Sequence, residues 1–269
     1  MQNDSIIHWA GASVSGSRKE QNEDSWVAFS SNIQGTQVLG KSGQESLQAN
    51  DLVFAVSDGM GGGNAGDLAS SLILERMPGI IAETFKVVAS GFYPDPVAHL
   101  EQALKEVHEH INEAAAKKEA HKGMAATLAF CWFTPDNMYL ANVGDSRVYR
   151  SRDGKLEQLS KDHTLAWSSW KRGEIGEMQY RSHPRRSALF RVIGGGHAKC
   201  SPYFAAISFK KGDRFLICSD GLIDGLWERQ INEALGSDRD QKSNCEALLE
   251  RAIENAGSDD TTLIVLEVK

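Results

Sequence analysis

Residues 126–150 read ATLAFCWFTPDNMYLANVGDSRVYR, and the punctuation of this stretch decides the fold. Three apolar runs, Ala126–Phe133, Met138–Val143 and Arg147–Arg150, have the length and composition of strands. Thr134-Pro135-Asp136-Asn137 reads as the turn joining the first two. After the third, Asp153-Gly154 reads as a tight hairpin turn. Working outward, further strand-like runs lie at Ile6–Val14, Leu52–Val56, Phe204–Phe209, Arg214–Cys218 and Thr262–Val268, with a shorter piece at Ser25–Phe29. Helical runs lie between them. In Val97–Ala116 the apolar residues Leu100, Leu104, Val107, Ile111 and Ala114 recur every three or four positions. Ala65–Ala89 is also helical in pattern, and Pro78 is expected to kink or split it. Leu222–Leu235 and Gln241–Ala256 complete the helical set. Strands cluster between helical pairs rather than alternating with them, which selects an α+β fold with helices covering antiparallel sheets.

The composition narrows the function. The chain has 269 residues, 29 Lys+Arg and 36 Asp+Glu, for a formal charge of −7. An acidic total argues against coating nucleic acid. No run approaches the roughly 18 apolar residues of a membrane span, and the first residues lack the basic start and apolar stretch of a signal peptide. Cys131, Cys200, Cys218 and Cys245 are far apart and form no CxxC pair, which fits a reducing compartment and a cytoplasmic location rather than a disulfide framework or a zinc site. No internal repeat or linker divides the chain, so residues 1–269 read as one domain.

Two long loops interrupt the pattern. Residues 30–51 are polar and read as an exposed insertion. Residues 162–191 carry Trp167, Trp170 and a local excess of arginine. Loops of this length are functional or mobile as a rule. The two tryptophans read as packing anchors, and Arg181, Arg185 and Arg186 as either a solvated face or a patch that recruits acidic substrates.

The main chemical signal is a repeated ending. VFAV runs into Ser57-Asp58-Gly59, LANV into Gly144-Asp145-Ser146 and FLIC into Ser219-Asp220-Gly221. Each places a carboxylate at the tip of a core strand. Ser258-Asp259-Asp260-Thr261-Thr262 precedes the last strand, and Asn22-Glu23-Asp24 precedes another. In antiparallel sheets the end of one strand lies beside the start of the next, so these acids can meet at one edge. Unpaired carboxylates in one place repel. A shared hard cation removes the repulsion, and oxygen ligands suit Mg²⁺ or Mn²⁺. For a single Asp a plain turn is the better reading; for five such sites the metal cluster is. The glycine-rich segment from Asp58 to Gly66 lacks a phosphate-loop lysine and reads as part of the metal site that Asp58 opens.

Taken together these pieces resemble the metal-dependent protein serine/threonine phosphatases of type 2C in their bacterial form. Asn22-Glu23-Asp24-Ser25 is similar to the first acidic motif of that family, and Val56-Ser57-Asp58-Gly59-Met60-Gly61-Gly62 to its central metal motif. Gly123–Leu128, Asn142–Tyr149, Lys161-Asp162-His163-Thr164, Leu216–Leu222 and Ser258–Thr262 follow in the family's order. The resemblance implies a four-layer α-β-β-α sandwich with two Mn²⁺ or Mg²⁺ ions between the sheets. It implies that Asp58 bridges the ions and the Gly59 carbonyl binds one of them. Asp220 and Asp259 would hold one ion, while Glu23 and Asp24 would support the other, largely through waters. A third ion, bound by some bacterial relatives, would fall to Asp145 with Asp220. The implied reaction is hydrolysis of phosphoserine and phosphothreonine by a metal-bridging water, without a covalent intermediate. The implied catalytic set is Asp58, Asp24, Asp220 and Asp259. The 162–191 loop would be a mobile flap. The substrates would be phosphoproteins made by a Ser/Thr kinase, and the enzyme a monomer that engages neither nucleic acid nor membrane.

Three positions depart from the family. Met60 stands where many eukaryotic members carry a proposed general-acid His, so the acid is unassigned. The spacing of the phosphate-gripping Arg falls on Lys19, with Arg18 one residue earlier, so either can serve. Asp260 stands in place of Asn after the last metal aspartate, Asp259. Two other readings compete: a catalytically silent phosphoprotein-binding module on the same fold, and a metal-dependent nuclease, which the acidic total disfavours.

Overall fold

The computed structural model describes residues 5–61, 65–89 and 95–269, with the backbone alone at 84–89 and 96. The chain opens with β1 (Ile6–Val14), β2 (Asp24–Asn32), β3 (Gly35–Val38), β4 (Ser42–Ser46) and β5 (Asp51–Met60). Two long helices follow, α1 (Ala65–Ala89) and α2 (Pro96–Lys117). The middle of the chain supplies β6 (Ala125–Ala126), β7 (Leu128–Phe133), β8 (Met138–Val143), β9 (Arg147–Arg152) and β10 (Lys155–Gln158). Next come α3 (Leu165–Lys171), α4 (Glu177–Arg181), β11 (Ile193–Gly194), β12 (Tyr203–Ile207) and β13 (Arg214–Cys218). The chain finishes with α5 (Asp220–Gly225), α6 (Glu228–Leu235), α7 (Gln241–Ala256) and β14 (Thr261–Val268).

Two sheets form. One is six-stranded in the order β10-β9-β13-β14-β1-β4. The other has eight strands, β11-β6-β5-β7-β8-β12, with β2 beside β5 and β3 beside β2. The pairings are antiparallel. Three apolar layers hold the stack. Trp9, Phe54, Phe133, Phe215 and Ile264 pack between the sheets. Ile73, Met77, Leu104, Ile111 and Phe130 join α1 and α2 to the larger sheet. Leu222, Ile231, Leu248 and Val265 join α5, α6 and α7 to the smaller one. This is the expected α+β, four-layer α-β-β-α sandwich.

Local expectations fare unevenly. β1, β8, β13 and α7 have the expected bounds. The 30–51 segment is mostly exposed, but it is not a simple insertion: β3 extends β2, and β4 pairs with β1 on the other sheet. Leu47 anchors it in the core. The run from Ala126 to Phe133 breaks at Thr127, which bonds the β5 backbone instead of continuing the ladder. Pro78 does not split α1, because Ala69, Ile73, Met77 and Ile81 are buried on both sides of it. Leu222–Leu235 is two helices. Gly225 lies so close to α7 that an added Cβ would come 2.3 Å from the Ala252 carbonyl, and Leu226 leaves the helix in extended backbone.

β5 carries a charge at its start as well as near its end. Asp51 accepts a 2.7 Å hydrogen bond from Trp132 Nε1, yet burial pushes its carboxyl up to about 7. The unfolded chain therefore ionises this group first, and native stability falls as pH rises from about 4 to 7. Asp51→Asn keeps an oxygen for Trp132 and removes that dependence. The melting temperature of the variant relative to wild type should rise between pH 5 and pH 8; a constant difference refutes the assignment.

Candidate active site

The acid-bearing ends of both sheets meet at one edge. On the larger sheet, the β2–β5 register sets Asp24 opposite Asp58. On the smaller, the Ser219 amide donates to the Thr262 carbonyl at 3.0 Å, which brings the end of β13 to the start of β14. An open cleft of about 530 Å³ lies at this edge. Lys19, Glu23, Asp58, Gly59, Asp145, Asp220 and Asp259 line it. Asp24 is buried beside Asp58 and Ser219 rather than lining the cleft, and Arg18 is exposed outside it.

The carboxylates raise one another. Burial first, then the charges of Asp24, Asp220, Asp145 and Asp259, hold Asp58 well above the usual range. Asp220 is raised in the same way, by burial and then by Asp145. Burial pushes Asp145 up to about 7, aided by Asp162 and opposed by Arg147 and Arg186. Asp24 also rises to about 7, through burial and against a 2.7 Å hydrogen bond from Ser219 Oγ. Its Oδ1 is buried without a hydrogen-bond partner among the described residues. On the rim, burial works against the Lys19 ammonium, but a 2.5 Å bond to Glu23 and the Asp259 charge outweigh it and raise its pKa. Asp259 Oδ1 lies 3.5 Å from the same Nζ.

An oxygen-rich, mutually repelling set with an orphaned carboxylate oxygen fits hard divalent cations. Among the described residues, no three His, Cys, Asp or Glu side chains converge tightly enough to hold an ion alone. Water would therefore complete the shell, as Mg²⁺ and similar ions prefer. Gly62, Gly63 and Asn64 of the glycine-rich segment lie outside the described residues.

Uncharged contacts keep the acids in place. Thr127 Oγ1 accepts the Asp58 amide at 2.9 Å and shares a 2.7 Å bond with Ser146 Oγ. His163 Nδ1 accepts the Gly144 amide at 3.0 Å, next to Asp145. Burial lowers this histidine to about 4, so it stays a neutral acceptor. Asp260 turns away from the cleft and accepts the Gly16 and Glu23 amides at 2.8 and 2.7 Å. Asp260 is thus a backbone clamp, and Asp259 is left as the cleft-facing acid. Gly59 must be glycine because a Cβ there would come within 2.0 Å of the Gly66 carbonyl.

The 162–191 segment is fastened beside this edge. Arg147 and Asp162 form a buried pair at 2.7 Å, with side chains 2% and 0% exposed. Tyr149 and Tyr180 hydroxyls accept from the same guanidinium, and Trp170 stacks on Tyr180 at 4.8 Å. Trp167 donates to Gln158 at 3.1 Å. Both tryptophans are packing anchors, as expected. Arg181 is committed to the Ile223 and Leu226 carbonyls and to the Trp227 ring, and Arg186 pairs with Asp224. Only Arg185 of the three is exposed.

Sequence reading gave no role to Thr127, His163 or His197. The first two sit inside the quoted motifs, where a hydroxyl and an imidazole beside strand-end acids were the available signal. His197 lines the cleft directly after three glycines, and that run was the clue.

Comparison with known proteins agrees with this geometry. The profile of the family described as "Protein phosphatase 2C" matches residues 41–250. The chain is 32% identical over 84% of its length to the serine/threonine protein phosphatase PstP of Mycobacterium tuberculosis, of which it spans only 42%. It is 30% identical to the serine/threonine phosphatase stp of Listeria monocytogenes, over 81% of this chain and 85% of that one. The crystal structure of the catalytic domain of PstP with two manganese ions superposes with a TM-score of 0.75 at 27% identity, covering 98% and 99% of the two chains.

Two outcomes are expected. Without added metal, Asp58→Asn should melt at a higher temperature than wild type, since it relieves the repulsion; a divalent cation should reverse the order. The cation's apparent affinity should rise between about pH 6 and 8 as protons leave the raised carboxylates, because metal and proton compete. Titration calorimetry at several pH values checks this, and a pH-independent affinity refutes it. Separately, Asp162→Ala leaves Arg147 buried without its partner and should cost about 3–5 kcal/mol in denaturant unfolding.

Proposed function

The chain belongs to the protein phosphatase 2C family, and from that premise we propose that it hydrolyses phosphoserine and phosphothreonine esters in proteins with divalent cations held in the cleft. The observation that carries the reading is the convergence of Glu23, Asp58, Asp145, Asp220 and Asp259 on one open cleft beside Asp24. Mn²⁺ is the first choice because the related PstP domain is seen with two manganese ions; Mg²⁺ has the same preference for oxygen. Asp58 and the Gly59 carbonyl would hold the ions, with water completing the shell. Asp220 and Asp259 would complete one site, and Glu23 and Asp24 would support the other. Asp145 with Asp220 would take a third ion.

Bound there, the cations supply neutralisation of the phosphate dianion and acidification of the attacking water. The chain's own residues do the rest. Lys19 lines the cleft between Glu23 and Asp259, which supports its ammonium as the phosphate grip ahead of the exposed Arg18. The cysteines take no part as nucleophiles, since burial pushes Cys200, Cys218 and Cys245 up to about 12. Residues 1–269 act as one catalytic domain, and 162–191 is its flap. The substrates are proteins phosphorylated by a separate Ser/Thr kinase. The enzyme works as a monomer. Four free, buried thiols suit the cytoplasm. No helix among the described residues is long and apolar enough to cross a membrane. The intact acid set disfavours a silent module.

Purified protein with Mn²⁺ should release phosphate from phosphoseryl and phosphothreonyl peptides and from a small aryl phosphate. Asp58→Asn should lower kcat by at least about 10²-fold on all three. Equal rates for variant and wild type sink the reading.

A further inference from the structure

Resting on the phosphatase reading above, the cleft raises the question of where the leaving oxygen finds its proton. A serine or threonine alkoxide is a poor leaving group, and a positioned acid is worth about 10²–10⁴-fold. The candidates on the acid wall are all committed. Asp58, Asp145, Asp220 and Asp259 are cation ligands in this reading, Lys19 is tied to Glu23 and Asp259, and the Met60 thioether has no proton to give.

The part of the lining that follows β11 is different. Ala125, Val192, Gly195 and His197 line the same cleft. After β11 the chain passes through Gly194, Gly195 and Gly196, all at positive φ of 87°, 67° and 72°, and this turn presents His197. The loop is held from α2. His108, 3% exposed, accepts the Gly194 amide at Nδ1 over 3.0 Å, so its Nε2 carries the hydrogen and donates to the His197 carbonyl at 2.9 Å. Asn112 accepts the Gly196 amide at 2.9 Å and donates to the same carbonyl at 3.2 Å. Met124 accepts the Gly195 amide at 2.8 Å. The backbone of His197 is therefore fixed, while its ring has no hydrogen-bond partner among the described residues. His197 is exposed, and its ring lies over Gly195: its Cδ2 is 3.1 Å from where a Cβ on Gly195 would lie. A pinned backbone with an unengaged imidazole beside a reaction space is the arrangement of a group that serves the substrate.

We propose that His197 is the catalytic residue that protonates the departing seryl or threonyl oxygen. The bond from phosphorus to that oxygen breaks and its electron pair stays on the oxygen. A ring N–H of the imidazolium supplies the proton, leaving a serine or threonine hydroxyl and a neutral imidazole. The attacking water gives its oxygen and one proton to the phosphate. Its second proton, released to solvent, balances the one the imidazole then takes back.

The test compares leaving groups on the Mn²⁺-loaded full chain. A phosphoseryl peptide needs the proton; p-nitrophenyl phosphate, whose aryloxide leaves unaided, does not. His197→Gln and His197→Ala should each lower kcat on the peptide by about 10²-fold or more, and on the aryl phosphate by less than about tenfold. Both should keep the wild-type melting temperature and Mn²⁺ titration. An equal fall on the two substrates overturns the proposal, as does an unchanged peptide kcat or a raised peptide KM at constant kcat. Wild-type inactivity on both substrates with Mn²⁺ would instead retire the phosphatase reading, and this inference with it.

Discussion

Four buried or recessed aspartates share one edge of this sandwich without enough positive charge to settle them, and the rest of the structure is arranged around that conflict. Asp58 and Asp220 sit where burial and their neighbours both oppose ionisation. No isolated hairpin could hold such a set. It is tolerated because the aspartates stand at strand ends, just past three apolar layers that fix the strands. Antiparallel pairing makes the crowding unavoidable: with Asp24 in register against Asp58, neither can move away without slipping the ladder, and a one-residue slip turns every β2 side chain to the wrong face.

Equally buried acids elsewhere show what the cleft withholds. Asp162 has a guanidinium, Asp213 receives Arg152 Nε and Nη2 at 2.6 and 2.5 Å, and Asp260 takes two backbone amides. Those three are structural, and their charge is answered within the chain. Among the described residues Asp58 and Asp220 have no such donors, Asp145 has only its own backbone amide, and Asp24 has one oxygen satisfied and one orphaned. The difference lies in donors supplied rather than in residue type. An acid without a donor, placed at the rim of an open space, is one whose partner must come from solution.

This contrast also explains how much could be read beforehand. Strand ends with Asp, and their order along the chain, were legible because they are local: Val56-Ser57-Asp58 and Cys218-Ser219-Asp220 announce themselves in three letters. β1, β8, β13 and α7 were legible for the same reason, since periodicity and flanking turn residues set their bounds. What escaped depends on contacts distant in sequence. β4 joins the second sheet through β1, a pairing that no pattern within residues 30–51 encodes. The helix from Leu222 breaks because Gly225 meets Ala252 of another helix. The duty of Asp260 follows from amides at Gly16 and Glu23, more than 230 residues away. Lys19 and Arg18 could not be separated until the β1–β2 connection showed which of the two enters the cleft.

The turn between β8 and β9 links the site to the segment beside it. Within four residues, Gly144 to Arg147, the chain gives one cleft aspartate, the amide that His163 accepts, the hydroxyl that braces Thr127, and the guanidinium that fastens the 162–191 segment through Asp162. Asp162 and His163 are themselves adjacent, so the same short pieces of chain meet twice, once through a buried ion pair and once through a neutral hydrogen bond. Arg147 and Asp162 also act on Asp145 in opposite directions, the first lowering and the second raising its proton affinity. Any displacement of the segment that separates this pair must alter the field at Asp145. The cleft's acidic wall and the segment fastened beside it are in this way one electrostatic unit, and the fold has no route to moving the second without changing the first.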